Sequence, residues 1–323
     1  MQKHVIEWLL ERDQPAVRYR ALLDLLDRKE SDEEVRQARA DIPRRGWCPE
    51  VLSSQKAAGF WEDRQNLYRP KYTATIWRLI VLADLGMTAE DERIKKPCEL
   101  FLNEYSRSDG GFDSPPSGQR RSELCVTGNL ARTLQLCGYG EDARVRSAYD
   151  WLVKNQMKDG GWHCDYWKAF GWGTLDCWEG LSAFAALPRE KWSRQLKRSV
   201  ERGAEFYLER RLLQQGRHRY LPWFRLHYPV HYYYDFLVGL DVITKLGYAG
   251  DRRLEPAIDL LKRKRTRSGV WILDRVHPDL GAGAGYRMKR GSFRAFSLER
   301  EGEPSKWITL TALRVLKRVE EAR

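Results

Sequence analysis

The stretch QMKDGGW at residues 156–162 places a glycine-rich turn and a tryptophan directly after a segment with helical periodicity. Degenerate copies of this turn stand at residues 59–61, 109–112 and 268–271. Trp61 and Phe112 are 51 residues apart, and Phe112 and Trp162 are 50 residues apart. A nearly constant period of this length is typical of folds built by stacking one supersecondary unit. The turns therefore divide much of the chain into similar units.

Each unit combines two helical segments of different character. The segment before the turn is amphipathic, whereas the segment after it is apolar nearly all round. An apolar helix has to be surrounded, so it belongs to an inner layer that the amphipathic helices shield from water. The five apolar segments are YTATIWRLIVLADLG (72–86), CVTGNLARTLQLCGYG (125–140), TLDCWEGLSAFAALP (174–188), HYYYDFLVGLDVITKLGY (231–248) and KWITLTALRVLKRV (306–319). Closing the array into a ring leaves no end surface exposed, so we predict an all-α fold, an α/α toroid with these segments as its inner wall.

The N-terminal segment has a different pattern. Residues 13–18, DQPAVR, precede an apolar helix and resemble the start of a HEAT-type helical hairpin. We therefore predict an N-terminal helical cap at residues 1–54 and the toroid at residues 55–323.

The turn at residues 156–162 resembles the repeat motif of squalene–hopene cyclases and of the β subunits of protein prenyltransferases, in which a glutamine precedes Asp-Gly-Gly-Trp. The resemblance covers roughly residues 55–320, and the full motif occurs once. It implies a ring of inner helices around an apolar, aromatic-lined cavity that often holds an isoprenoid. The N-terminal segment lies outside it.

The chain lacks the acidic motifs that start cyclisation in related families. Squalene–hopene cyclases protonate their substrate from an Asp-x-Asp-Asp cluster, in which neighbouring carboxylates keep one acid protonated. No such cluster occurs here, and neither does the Asp-rich magnesium-binding motif of class I terpene synthases. Cyclisation by either chemistry is therefore not expected, and the sequence identifies no catalytic residue.

Superposing the repeats brings distant residues to equivalent positions. Thr73, Cys125, Cys177 and His231 follow one another at spacings of 52, 52 and 54 residues, near the starts of inner helices. Equivalent positions of a ring point to the same mouth. The candidate metal ligands at this mouth are Cys125, Cys164, Cys177, His227 and His231. Thiolate and imidazole are the ligands that tetrahedral zinc prefers, so zinc is the expected cofactor if there is one.

The prenyltransferase resemblance implies a similar zinc site. In that family an Asp and a Cys before one inner helix and a His on a later one hold the metal, and Asp176, Cys177 and His231 are similar in placement. Here the Asp and Cys are adjacent rather than separated by one residue, and adjacent helical residues point about 100° apart. Asp176 is therefore an alternative ligand or a partner of the ligands, and Cys125 or Cys164 can take its place. Two alternatives stay open: buried thiols without metal, and a reactive thiol without metal.

Aromatic residues near the same mouth are candidates for a cavity wall. The predicted ligand-cavity residues are Trp172, Trp178, Tyr233, Tyr234, Asp235 and Trp307. Residues 272–305 have no helical period, and a loop of this length often acts as a lid or ligand loop. Its basic residues, predicted to bind an anionic head group, are Arg287, Lys289, Arg290 and Arg294.

Composition limits the remaining possibilities. The chain has 323 residues, of which 42% are hydrophobic, and a formal charge of +12, which attracts anions. No apolar run approaches the ~20 residues that span a bilayer, and the N-terminus does not resemble a signal peptide. We therefore predict a cytoplasmic protein without a membrane span, whose six cysteines are reduced thiols or metal ligands.

These features favour a prenyltransferase- or terpene-cyclase-like toroid that binds an apolar, isoprenoid-like small molecule in a central cavity, with zinc-dependent transfer as its enzymatic form. The alternative is a non-catalytic scaffold that holds a ligand or a protein partner. A nucleic-acid binder is the least supported class, because the basic residues form no clustered stripe and no recognition motif.

Overall fold

The computed structural model describes residues 2–114, 121–164, 172–214, 220–277 and 293–323. Over these ranges the chain is mainly helical, and its β-type pairing is limited to isolated bridges such as the one between Ser106 and Phe112. No helix of the described ranges is long and apolar enough to cross a membrane. The predicted all-α class is confirmed.

The helices fall into three groups along the chain. The N-terminal helices are α1 (Lys3–Leu9), α2 (Pro15–Asp24), α3 (Glu33–Asp41) and α4 (Trp47–Leu52). The inner helices are α5 (Thr75–Asp84), α7 (Leu124–Leu136), α9 (Glu179–Ala186), α11 (Phe236–Ile243) and α13 (Lys306–Glu321). The outer helices are α6 (Glu92–Glu104), α8 (Ala143–Lys154), α10 (Arg194–Glu209) and α12 (Glu255–Arg263).

The inner helices pack side by side in chain order. α5 contacts α7, α7 contacts α9, α9 contacts α11, and α11 contacts α13. The α7–α9 contact is especially close, because a Cβ atom added at Gly128 would lie 2.7 Å from backbone and side-chain carbons of Glu179. Each outer helix covers the inner helices next to it, as α8 does for α7 and α9 and α10 does for α9 and α11. This is the predicted toroid, with the five apolar segments as its inner wall.

The repeated turns make the same hydrogen bonds in different units. The indole Nε1–H of Trp61, Trp162 and Trp271 donates to the carbonyl oxygen ten residues earlier, at 2.9, 3.0 and 2.8 Å. Gly160 has a φ of +90°, and a Cβ there would lie 2.3 Å from the backbone oxygen of Arg202, so only glycine fits. The period seen in the sequence therefore corresponds to turns that pack in the same way in different units.

The N-terminal helices lie between the last and the first inner helix. α2 contacts α13, and α4 contacts α5. The ring of Trp47 in α4 lies 6.4 Å from that of Trp307 in α13, and Lys306 pairs with Glu11 at 2.6 Å. One hydrophobic core runs through these helices and the rest of the ring. The N-terminal helices thus complete the wall, and the division into segments 1–54 and 55–323 stays a prediction.

Candidate functional site

Three of the predicted metal ligands meet at the mouth formed by the starts of the inner helices. Cys125 is the second residue of α7, and Cys177 stands two residues before α9. The sulfur atoms of Cys164 and Cys177 lie 3.3 Å apart, and the thiol of Cys125 is hydrogen-bonded to that of Cys164. We call Cys125, Cys164 and Cys177 the thiol cluster.

Hydrogen bonds connect the thiol cluster to the backbone and to Thr174. The backbone N–H of Cys164 and the hydroxyl of Thr174 each donate to the sulfur of Cys177, at 3.2 and 3.3 Å. The hydrogen bond with Cys164, followed by burial, raises the pKa of the Cys125 thiol well above its ordinary value. In this arrangement Cys125 is a neutral thiol at neutral pH.

The two predicted histidine ligands face other partners. His227 Nδ1 lies 2.6 Å from Asp235 Oδ2, and both side chains are buried. His231 lies among aromatic rings, with centroid distances of 5.0 Å to Tyr72 and 6.1 Å to Trp77. Neither ring nitrogen of His231 has a hydrogen-bond partner within the described ranges. Burial, followed by the nearby His277, lowers the pKa of His231 well below its ordinary value, so the ring is neutral.

The predicted Asp176 is also engaged elsewhere. Its Oδ1 accepts a hydrogen bond of 2.7 Å from the indole of Trp223, and burial raises its pKa. Among the residues that the structure describes, no group of three or more His, Cys, Asp and Glu side chains is arranged to hold a metal ion. Zinc binding stays a prediction, and we derive no chemical step from a metal.

Glu179, which the sequence interpretation missed, stands beside the thiol cluster. Its side chain is 2% exposed, and its Oε2 has no hydrogen-bond partner in the described part of the chain. Burial, followed by the proximity of Cys125, raises the pKa of Glu179 well above its ordinary value, which keeps the carboxyl protonated. The available signal was the presence of a second acidic residue, three positions after Asp176, in the otherwise apolar segment 174–188.

A cavity of about 190 Å³ lies inside the ring, with walls contributed by α2, α5, α7, α9, α11 and α13. One end is apolar, with Trp178, Val230 and Trp307 in its wall and the buried His227–Asp235 pair beside them. Asp235 is fixed there because its Oδ1 caps α11 by accepting the N–H of Val238 at 2.9 Å. We call this part the apolar end of the cavity.

The other end of the cavity is lined by charged side chains. They are Arg20, Asp24, Asp84, Arg132, Asp241, Lys245, Arg314 and Arg318, which we call the charged end. Arg314 bridges Asp24 at 3.0 Å and Asp241 at 2.9 Å, and Arg318 binds Asp241 at 2.8 Å. Arg132 pairs with Asp84 at 2.5 Å. Burial raises the pKa of Asp241, but the charges of Arg314 and Arg318 outweigh this effect and hold that pKa below its ordinary value.

The other predicted cavity residues take different positions. Trp172 is 55% exposed. The hydroxyl of Tyr234 donates to the carbonyl of Leu212 at 2.9 Å, and its ring packs on Trp223 at 5.8 Å. The hydroxyl of Tyr233 lies 3.1 Å from that of Tyr220. Of the six predicted cavity residues, Trp178, Asp235 and Trp307 line the cavity.

The predicted anion-binding loop is described only in part. Arg294 forms an ion pair of 2.6 Å with Glu62. Arg287, Lys289 and Arg290 lie outside the described residues, as do all of residues 278–292 of the predicted lid at 272–305. The lid therefore stays a prediction.

A larger groove of about 700 Å³ lies apart from these residues, next to α12. Arg252, Arg253 and Arg263 are among its walls, together with acidic residues of the same segment. None of the predicted site residues lines it. We therefore place the candidate site in the ring rather than in this groove.

The thiols differ in access, which gives a direct test of the cluster. All six cysteines lie within the described ranges; Cys164 is exposed, Cys125 half-buried and Cys177 buried. We expect a maleimide reagent to modify Cys164 first, because the reagent must reach the sulfur. Mass spectrometry of peptides after limited labelling measures the order. Faster labelling of Cys177 or Cys48 would contradict the arrangement, and Cys164→Ser is the control that removes the fast phase.

No family model matches the chain, and no curated protein matches it. Among solved structures, a protein from Actinoplanes is 16% identical, with a TM-score of 0.49, over 95% of this chain and 90% of that chain. The type II terpene cyclase MstE from Scytonema is 17% identical, with a TM-score of 0.48, over 96% of this chain and 88% of that chain. A variant of that cyclase, in complex with its substrate geranylgeranyl dihydroxybenzoate, is 16% identical, with a TM-score of 0.46. Similarities of this size carry no site or activity over to this chain, whose fold rests on its own helix contacts.

Proposed function

We propose that this protein binds a small apolar, isoprenoid-like molecule in the cavity of its helical ring. The observation that supports the proposal is the apolar end of the cavity, where Trp178 and Trp307 face an enclosed space beside the buried His227–Asp235 pair. Apolar and aromatic walls with a few convergent polar groups are the usual form of a small-molecule site. Indole rings also attract cationic or electron-poor carbon centres through their π faces.

The size of the cavity limits the ligand. Ligand pockets usually enclose ~300–1,000 Å³, whereas this cavity has a volume of about 190 Å³. A long polyisoprenoid therefore does not fit without movement of the walls, because packed interiors resist expansion. We propose a short apolar ligand of about five to ten carbons, which corresponds to one or two isoprene units.

The His227–Asp235 pair gives the cavity a fixed polar group beside its apolar wall. Asp235 holds the His227 imidazole through Nδ1, which fixes the orientation of the ring. The other ring nitrogen, Nε2, lies 3.3 Å from the carbonyl oxygen of Val230, so both ring nitrogens have partners within the chain and the pair forms an oriented polar rim of the cavity. Zinc-dependent transfer remains a separate prediction, which metal analysis of the purified protein checks.

The test compares uncharged ligands of increasing length by their effect on the melting temperature. We expect dimethylallyl alcohol and geraniol to raise the melting temperature of the full chain, and farnesol to raise it less, because ligands that bind only the folded state stabilise it. Val238 lines the cavity, so Val238→Phe should fill it and abolish the shift. Leu221→Phe, at a position that is 70% exposed, is the matched control.

Two outcomes would contradict the proposal. One is an absence of stabilisation by any of the three alcohols, which would favour the non-catalytic scaffold instead. The other is an equal shift in the parent protein and in a correctly folded Val238→Phe variant, which would place the ligand outside the cavity.

A further inference from the structure

We propose that the charged end of the cavity is a binding site for a phosphate-type oxyanion. Of the charged side chains that line it, five are cationic and three are acidic. The five cations, which we call the cationic set, are Arg20, Arg132, Lys245, Arg314 and Arg318. The charged end therefore carries an excess of two positive charges in a concave space.

The three carboxylates are already engaged. Asp84 pairs with Arg132, while Asp24 and Asp241 both pair with Arg314, and Asp241 also pairs with Arg318. None of them is left to neutralise a further cation. The excess charge is consequently located on the remaining two members of the cationic set.

Those two members are Arg20 and Lys245, neither of which forms a salt bridge within the described ranges. The guanidinium of Arg20 lies 5.3 Å from the ring centre of Tyr19, and Lys245 both lines the cavity and is exposed to solvent. Although part of Lys245 reaches solvent, burial lowers its pKa to about 8. The charge of Asp241 opposes this shift, and the charges of Arg132, Arg314 and Arg318 add to it. A bound anion would reduce the repulsion among these neighbouring cations. Partial enclosure also strengthens the attraction between the anion and the cations.

The side chains also fit an oxyanion in their chemistry. Guanidinium groups present forked N–H donors that match the oxygens of phosphate, and an ammonium adds a point charge. The hydroxyl of Thr311 lies in the same wall and can donate a further hydrogen bond. Because Lys245 lines the cavity and is also exposed to solvent, we expect an anion to enter at the charged end.

The phosphate could be free or could be the head group of an organic ligand. The apolar end is continuous with the charged end in one cavity, so a short phosphate ester would occupy both. This second form rests on the proposed function, whereas binding of inorganic phosphate does not. The probes are therefore inorganic phosphate, monobutyl phosphate and butanol, each titrated calorimetrically into the full chain at low ionic strength.

We expect inorganic phosphate to bind the parent protein and to bind Arg20→Gln and Lys245→Gln about tenfold more weakly, as the loss of one charge-assisted contact predicts. Tighter binding of monobutyl phosphate than of inorganic phosphate would identify a head group, and equal binding would identify free phosphate as the ligand. Butanol tests the apolar end alone, so its failure bears on the proposed function and not on the anion site.

The control is Lys197→Gln, which removes an exposed cation from the outer helix α10. Equal weakening by this control and by Lys245→Gln would overturn the proposal, because it would show attraction by overall charge. Absence of phosphate binding to the parent protein at millimolar concentration would overturn it as well. Arg20 and Lys245 have no ion pairs within the described ranges, so their replacement should leave the melting temperature nearly unchanged.

Discussion

Replacement of Trp162 by alanine is expected to lower the free energy of unfolding by about 3–5 kcal/mol, the range measured for large aromatic residues in well-packed cores. Trp162 is fully buried, and its indole N–H donates to the carbonyl of Leu152. Its ring also fills the space above Gly180 and Gly203, where an added Cβ would meet it at 3.0 and 3.1 Å. Alanine would therefore leave a cavity and a carbonyl without its donor. Urea denaturation followed by circular dichroism measures the loss.

The matched control for this prediction is Trp172→Ala. Trp172 follows the same turn by ten residues but is 55% exposed, so its truncation should cost less than about 1 kcal/mol. Equal losses in the two variants would mean that the turn tryptophan does not anchor the repeat. The fold would then rest on the helix contacts alone.

The fold could be predicted from the sequence because the repeat has a physical basis in each unit. The indoles of Trp61, Trp162 and Trp271 reach back to a carbonyl ten residues earlier, and these contacts are local. The inner helices are apolar on all sides because they are enclosed on all sides. Local bonding and burial both repeat along the sequence with the period of the units. The sequence therefore predicts all five inner helices, although α9 and α11 each begin five residues after the start of the predicted segment.

The thiol cluster was predictable for the same reason, and the histidines were not. Cys125 and Cys177 stand close to the starts of α7 and α9, so repeat superposition places them at one mouth. His231 does not begin a helix, because α11 starts five residues later at Phe236. It lies in a turn with a φ of 46°, where the direction of the side chain depends on backbone conformation and not on the repeat.

The charged end was missed because its partners are far apart in the sequence. Arg314 and Asp24 are separated by 290 residues, and no local pattern connects them. The available signal was the presence of Arg132, Asp241 and Arg314 in segments that are otherwise apolar. A charged residue in an enclosed helix needs a partner or a polar cavity. Such residues indicate a polar space within the ring, although the partner cannot be identified from one sequence.

The second large effect is expected from Asp241→Asn, which removes the carboxylate shared by Arg314 and Arg318. We expect a loss of about 2–3 kcal/mol in the free energy of unfolding at pH 7. Breaking a fully buried pair costs ~3–5 kcal/mol, and partial solvent screening reduces that figure here. The side chain of Asp241 is 24% exposed. Urea denaturation at pH 7 measures the loss.

The pH dependence follows from the pKa of Asp241, which the two arginines hold below its ordinary value. A carboxyl with a lowered folded-state pKa stabilises the protein above its unfolded pKa of ~3.9, and this contribution is lost as the pH falls toward the folded pKa. The difference in stability between the parent protein and Asp241→Asn should therefore be largest at neutral pH, begin to shrink only as the pH falls below about 4, and vanish near the folded pKa. A difference that stays constant with pH would contradict the ionic origin of the effect.

The matched control is Asp150→Asn, which neutralises an exposed carboxyl on the outer helix α8 and should change stability by less than about 0.5 kcal/mol. The double variant Asp241→Asn/Arg318→Gln completes the test. Once Asp241 is neutral, Arg318 has lost its partner. The double variant should therefore lose less stability than the sum of the losses in the two single variants. Full additivity would show that the ion pair between Asp241 and Arg318 does not stabilise the fold.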